Sequence, residues 1–170
     1  SHAQRKDVGI VGAKLVYPNK TLQHTGLILG MGKEGIVGFP MAKKSMNDRG
    51  YMDRAMLVQN FSAVSSTCLM VNKALYSQLK GLNEKDFSVI YYDVDLCLRI
   101  KQLGYRVVWT PYVTLIHHGG SLLEEQKKDE IVASKIERNT DALLNQWLSK
   151  LSQDPSYNKN LSLKEADYQI

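Results

Sequence analysis

At 170 residues, with 44% apolar content and a formal charge of +5, the chain has material for one buried core. No run of about 18 apolar residues marks a membrane span. Two cysteines, Cys68 and Cys97, are too few for a disulfide framework and are expected as reduced, buried thiols. The positive charge is spread rather than clustered and reads as solvated surface; it suits anionic sugar nucleotides or a membrane surface, and no nucleic-acid partner is expected.

Residues 1–6 are too short to stand as an element. Residues 9–16 read as a strand, Pro18, Asn19 and Lys20 as a turn, and 21–29 as a second strand. That strand carries His24, read as a partly buried, hydrogen-bonding histidine. Residues 30–35, GMGKEG, match the dinucleotide fingerprint letter for letter. The motif needs a helix opening behind it to hold a pyrophosphate. The next five residues, Ile36-Val37-Gly38-Phe39-Pro40, are unsuited to a helix, so a hairpin or loop is expected. Residues 39–54 are polar and punctuated by Gly, Pro and an Asn-Asp pair, and read as a mobile loop. Strands are predicted over 57–61 and 67–71; Asn72 then caps a short helix through Leu79, which Gly81 ends.

Residues 89–92 form an apolar run of β type. Asp93 opens a helical pattern, with Leu96, Ile100 and Leu103 at helical spacing, and Gly104 ends it. A β-branched run over 105–109 is punctuated by Pro111. A second run over 113–116 delivers His117 and His118 into Gly119 and Gly120. A helix packed back on its following strand brings Asp93 and the histidine pair to the same edge of a sheet. Asp93 is a natural N-cap, Asp95 can pair with Arg99 one turn on, and His117 fits a hydrogen-bonded histidine at a strand end. Further on, Ile131, Val132, Ile136, Leu143, Leu144, Trp147, Leu148 and Leu151 mark one or two amphipathic helices, whose Leu-Trp stripe reads as core packing. Residues 154–170 read as an extended tail over the domain.

Tyr92-Asp93-Val94-Asp95-Leu96-Cys97-Leu98-Arg99, then Gly104-Tyr105-Arg106-Val107-Val108, then Ile116-His117-His118-Gly119-Gly120-Ser121 carry a resemblance. Val8 to Leu15, Gln23-His24-Thr25-Gly26, Gly81-Leu82-Asn83-Glu84 and residues 154–162 extend it nearly end to end. Together they resemble the C-terminal core of the bacterial family-2 glycosyltransferases of GT-A fold. The resemblance implies an α/β fold with a mixed sheet. Residues 1–120 would be its acceptor-side, catalytic part and 121–170 a C-terminal helical appendage with an extended tail. It also implies that the nucleotide-binding N-terminal half precedes Ser1, so that the isolated chain is inactive.

The activity implied is inverting transfer of a sugar, such as rhamnose or galactose, from a nucleotide-sugar donor. The acceptor would be a hydroxyl of a surface polysaccharide or lipid-linked precursor. By residue-to-residue match Asp93 is the catalytic base and His117 a metal ligand, for Mn²⁺ or Mg²⁺ whose other ligands lie outside this chain. Asp93-Val94-Asp95 is formally also an Asp-x-Asp metal motif, but a helix follows it where that motif enters a loop, and the base role fits better. Asp95 and His118 are assigned substrate contacts. Ser66 and Thr67 stand in the small segment that approaches the donor sugar, with Ser66 where Gly is usual. Tyr92 replaces the first acid of the catalytic pair, and Asn83 replaces an Asp in the turn ending at Glu84. The implied location is cytoplasmic, with peripheral contact at the inner face of the membrane allowed. The rival reading is a non-catalytic carbohydrate-binding or assembly module that kept the fold, favoured by Tyr92.

Overall fold

A computed structural model describes residues 2–32, 35–119, 129–164 and 168. Lys33 and Glu34 of the glycine-rich segment, and residues 120–128 beyond the histidine pair, lie outside the described residues. In chain order the elements are β1 (Val8–Val16), β2 (Leu22–His24), β3 (Ile28–Leu29), β4 (Val37–Gly38), β5 (Gln59–Phe61), β6 (Leu69–Val71), α1 (Lys73–Gln78), α2 (Tyr92–Gln102), β7 (Arg106–Ile116) and α3 (Glu130–Leu151). The class is α/β, a mixed sheet with a C-terminal helix. Among the described residues no helix is long and apolar enough to cross a membrane.

The sheet is built on β1, which is buried along almost its whole length, as a strand covered on both faces must be. β7 runs parallel to it from Val8 against Arg106 to Val16 against Ile116. On its other side β1 pairs antiparallel with β6 through residues 10–12 and with β2 through Leu15 and Val16. β5 pairs antiparallel with β7 through Val107, Val108 and Trp109. The two runs expected on either side of Pro111 are therefore one strand. The register with β1 jumps from Thr110 to Thr114, so Pro111, which has no N–H to give the ladder, sits in the bulge.

The residues predicted as one strand over 21–29 form two short pieces, β2 and β3. Gly26 separates them at φ +109°, where a Cβ would stand 2.5 Å from the Phe61 ring. Phe61 is fully buried and meets Trp109 edge to face. Gly26→Ala thus combines a forbidden backbone with an overpacked core, and should cost on the order of 2–4 kcal/mol in a urea titration. A loss under about 0.5 kcal/mol would mean that the bend relaxes freely. β3 and β4 pair antiparallel on either side of the glycine-rich segment, and residues 36–40, where the motif's helix would have to open, hold β4 instead.

Asn72 caps α1 as predicted, its Oδ1 accepting from the Ala74 and Leu75 N–H groups. Gly81 and Gly104 take left-handed conformations just past α1 and α2. Residues 88–91 are not a strand. Asn139 of α3 holds them, its Oδ1 accepting from Val89 and Ile90 N–H and its Nδ2 donating to the Asp86 carbonyl. Among the described residues, the apolar positions from Ile131 to Leu151, expected in one or two helices, fall in the single helix α3, capped by Asp129. Its buried stripe is Asn139, Leu143, Trp147 and Leu151, whereas Ile131 and Leu148 face solvent.

Among the described residues, the segment from Asp154 packs on the domain through Asp154, Ser156 and Tyr168. Buried Asp154 accepts from the Leu29 and Ser156 N–H groups and from the Ser62 hydroxyl. Lys101 donates to the Ser156 hydroxyl and to the Phe61 carbonyl. Tyr168 stacks on Tyr51 under the Arg54 guanidinium. The segment expected as a mobile loop is pinned by buried Met41 and Ala55, by Thr25 Oγ1 on the Pro40 carbonyl and by Lys14 Nζ on the Met46 carbonyl. Cys97 is buried and its thiol is pushed up to about 12 by desolvation; Cys68 is only partly buried, and both are free.

Candidate functional site

α2 runs back along β7, because its C-terminal end at Gly104 turns directly into Arg106, whose N–H bonds the Asp7 carbonyl at the start of β1. The N-terminus of α2 therefore lies toward the edge where β1 and β7 end. Tyr91 occupies the cap position at φ 66°, a conformation that an aromatic side chain disfavours, and no side chain caps the helix. Asp93 is not the cap; it stands in the first turn, with Oδ1 accepting from the Val94 N–H at 2.9 Å. Its Oδ2 accepts from the Ser66 N–H at 2.8 Å. Burial pushes the Asp93 carboxyl above the usual carboxylate range, and the Ser66 and Val94 N–H groups pull against that shift.

Ser66 opens a single helical turn, Ser66–Cys68, capped by Ser65, whose Oγ accepts from the Thr67 N–H. Ser66 and Thr67 are both exposed, beside the Asp93 carboxylate. The Ser66 hydroxyl donates to the Tyr92 phenol at 3.3 Å, so the residue in place of the acid touches the same turn. One residue earlier, the Ser65 N–H donates to His24 Nε2 at 3.2 Å. Asp93 and β2 are thus joined through two successive amides.

On β2, Gln23 precedes His24 and faces the end of β7. Its amide lies against His117 Nδ1, nitrogen at 2.6 Å and oxygen at 2.9 Å, while the His117 N–H donates to the Val16 carbonyl. His117 is half-buried and His118 exposed. Gln23 enters the sequence reading only within the Gln23-His24-Thr25-Gly26 stretch, and neither it nor the strained Tyr91 is given a role there; a Gln beside a histidine on a strand carries no signal until the strand pairing is known.

Asp95 lies apart from this edge. Two residues on from Asp93 in a helix, it faces roughly the opposite side. It is 1% exposed, accepting from Arg99 Nε at 2.8 Å and Trp147 Nε1 at 3.2 Å. Arg99 also donates to the Leu79 and Gly81 carbonyls. These contacts make Asp95 a staple joining α2, α3 and the end of α1. Asp95, Arg99 and Trp147, with Leu82 and Asn83, also line an open hollow.

His24 is fully enclosed; burial lowers its pKa to about 3, and its Nδ1 meets no partner among the described residues. Unfolded, it would take up a proton near pH 6.5. The neutral ring therefore contributes stability that is present above that pH and lost as pH falls toward 3. Between about pH 6 and 4 the loss should be on the order of 1 kcal/mol per pH unit. Urea midpoints across that window should show it, with a shallower slope in His24→Gln; equal slopes would assign the acid sensitivity elsewhere.

The donors present decide how far the expected metal fits. Among the described residues no group of three His, Cys, Asp or Glu side chains could hold a metal ion. His117 could offer at most one nitrogen, Nε2, because Nδ1 is engaged by Gln23.

The fold and this edge define an α/β domain with one carboxylate and one imidazole presented near the end of a parallel strand pair. No family model matches the chain. It is similar to a segment of the uncharacterized protein y4gI of Sinorhizobium fredii, 37% identical over 166 residues, covering 98% of this chain and 18% of that protein. It is also similar to a segment of the O-antigen biosynthesis protein RfbC of Myxococcus xanthus, 32% identical over 168 residues, covering 98% of this chain and 12% of that protein. The chain spans less than a fifth of the length of these curated relatives.

Proposed function

We propose that the chain is the acceptor-side portion of an inverting glycosyltransferase of GT-A type that works in bacterial surface-polysaccharide biosynthesis. The observation that carries the reading is the Asp93 carboxylate, held on the Ser66 amide beside the exposed Ser66–Cys68 turn with its pKa raised by burial. The likeness to a segment of an O-antigen biosynthesis protein supports the pathway class. Asp93 takes the proton of an acceptor hydroxyl as that oxygen bonds the anomeric carbon and the bond to the nucleoside diphosphate breaks. A carboxylate with a raised pKa is the stronger base for this step. Ser66 and Thr67 contact the sugar from the exposed turn, and His118 lies at the rim. His117 would hold Mn²⁺ or Mg²⁺ jointly with ligands from a preceding nucleotide-binding half; such an ion neutralises charge growing on the diphosphate.

The test compares this chain with the longer polypeptide that carries it. Calorimetry with UDP-, GDP- and dTDP-sugars plus Mn²⁺ should show only weak binding to the isolated chain, and the longer protein should release nucleoside diphosphate when acceptor glycan is supplied. Sub-micromolar donor binding by the isolated chain would overturn the division of labour. Glycan binding without release of nucleoside diphosphate would favour the second reading, a carbohydrate-binding module, which Tyr92 at the place of an acid supports.

A further inference from the structure

Successive N–H groups from Ser65 to Thr67 each find a different partner. The Ser65 N–H donates to His24 Nε2 at 3.2 Å, the Ser66 N–H to Asp93 Oδ2 at 2.8 Å, and the Thr67 N–H to Ser65 Oγ at 3.2 Å. Each peptide unit is planar, so the first two amides differ in direction only by the φ and ψ of Ser65. Those angles are −69° and 139°, and the Ser65 side chain holds them by capping the turn. Whatever fixes the Ser65 amide therefore also aims the Ser66 amide at the Asp93 carboxylate.

His24 is built as the fixed end of this relay. It pairs with Leu15 of β1, and its enclosed ring meets Phe39 edge to face. A backbone N–H can only donate, so Nε2 is the acceptor and carries no proton. Burial keeps the ring neutral, which leaves its one proton on Nδ1. That nitrogen has no hydrogen-bond partner among the described residues. An unpaired buried donor costs stability, and an apolar side chain of the same size would avoid that cost. What the ring adds over such a side chain is the acceptor at Nε2, which the Ser65 amide takes up.

We propose that His24 is a positioning residue for Asp93: its Nε2 holds the Ser65 amide, and through the Ser65 backbone it sets the Ser66 amide on which the carboxylate rests. The effect on turnover rests on the proposed base role of Asp93; the hydrogen-bond relay does not. His24, enclosed, touches no substrate.

The experiment pairs NMR of this chain with kinetics of the longer polypeptide that carries it. Wild type should show the His24 ring protonated at Nδ1, with a ¹⁵N–¹⁵N coupling across the hydrogen bond between Nε2 and the Ser65 amide. Two variants then separate the acceptor from the packing. His24→Leu fills the space without an acceptor, and His24→Gln places its amide oxygen roughly where Nε2 stands. The Ser66 amide proton, drawn downfield by the Asp93 carboxylate, should move upfield in His24→Leu and stay in His24→Gln. In the longer protein His24→Leu should lower kcat about 10-fold or more with the donor KM near its wild-type value, since small misplacements of a catalytic group carry such losses. His24→Gln should recover most of that loss. Backbone amide spectra check that each variant is folded. An Nε2–H ring or a missing coupling in wild type would overturn the relay, and this arm needs no variant. Equal responses of the Ser66 amide and of kcat to Leu and Gln would also overturn it, because a ring that only fills space behaves so. Failure of the base reading is seen separately, as turnover kept in Asp93→Asn while the coupling remains.

Discussion

In the full-length protein, Asp93→Asn should lower turnover at least roughly 100-fold, because an amide cannot take the acceptor's proton and a general base contributes on the order of 10²–10⁴. The structure adds a stability cost to that substitution. Asp93 accepts from two backbone N–H groups, one on each oxygen. Asn keeps one acceptor, and its NH₂ must face the Ser66 or the Val94 amide, a mismatch of about 1–3 kcal/mol. Removing a charge that burial disfavours offsets part of this. Melting should therefore shift by only a few degrees, and the kinetic loss should fall on kcat rather than on substrate binding. The wild-type pH–rate profile should fall on its acid side above the ordinary carboxylate range, since the base must be ionised and its carboxyl is raised. Near-native turnover in Asp93→Asn would make Asp93 an anchor for the 66–68 turn and nothing more. The base would then be sought at Glu84, an exposed acid in the turn before α2.

What the sequence made legible was local and periodic. The apolar run of β1, the Asn72 cap and the glycines that end α1 and α2 each depend on neighbours within a few residues, and each is found where spacing placed it. Residues 89–92 failed because β-type composition needs a neighbouring strand to pair with. Here a polar side chain 50 positions away takes the backbone N–H groups instead. Asn139, being polar, has no place in the apolar periodicity of α3, yet it is one of its four buried residues. At the site, an approach of Asp93 toward the end of β7 is expected from helix and strand order. The Ser66 contact, by contrast, comes with the pairing of β6 on β1, and the Ser65 and Gln23 contacts also need β2 on β1. Long-range polar contacts leave no period in a sequence.

Asp95→Ala should be the most destabilising of the polar substitutions, by about 3–5 kcal/mol, lowering the melting temperature by roughly 10 °C or more. Asp95 and Arg99 form a near-buried pair at 2.8 Å, their side chains 1% and 19% exposed. Truncating the acid leaves a cation in a place where water cannot solvate it fully. The Leu79 and Gly81 carbonyls still accept from the guanidinium, but neither supplies the opposite charge. The Trp147 indole N–H loses its acceptor as well, inside the interface that holds α3 on α2. Replacing both charged partners by leucine should cost less than the two single losses added together, since no stranded charge remains. A role in substrate contact predicts the reverse pattern, with near-native melting and a raised KM. If Asp95→Ala melts within about 2 °C of wild type, the pair contributes little and the staple reading fails.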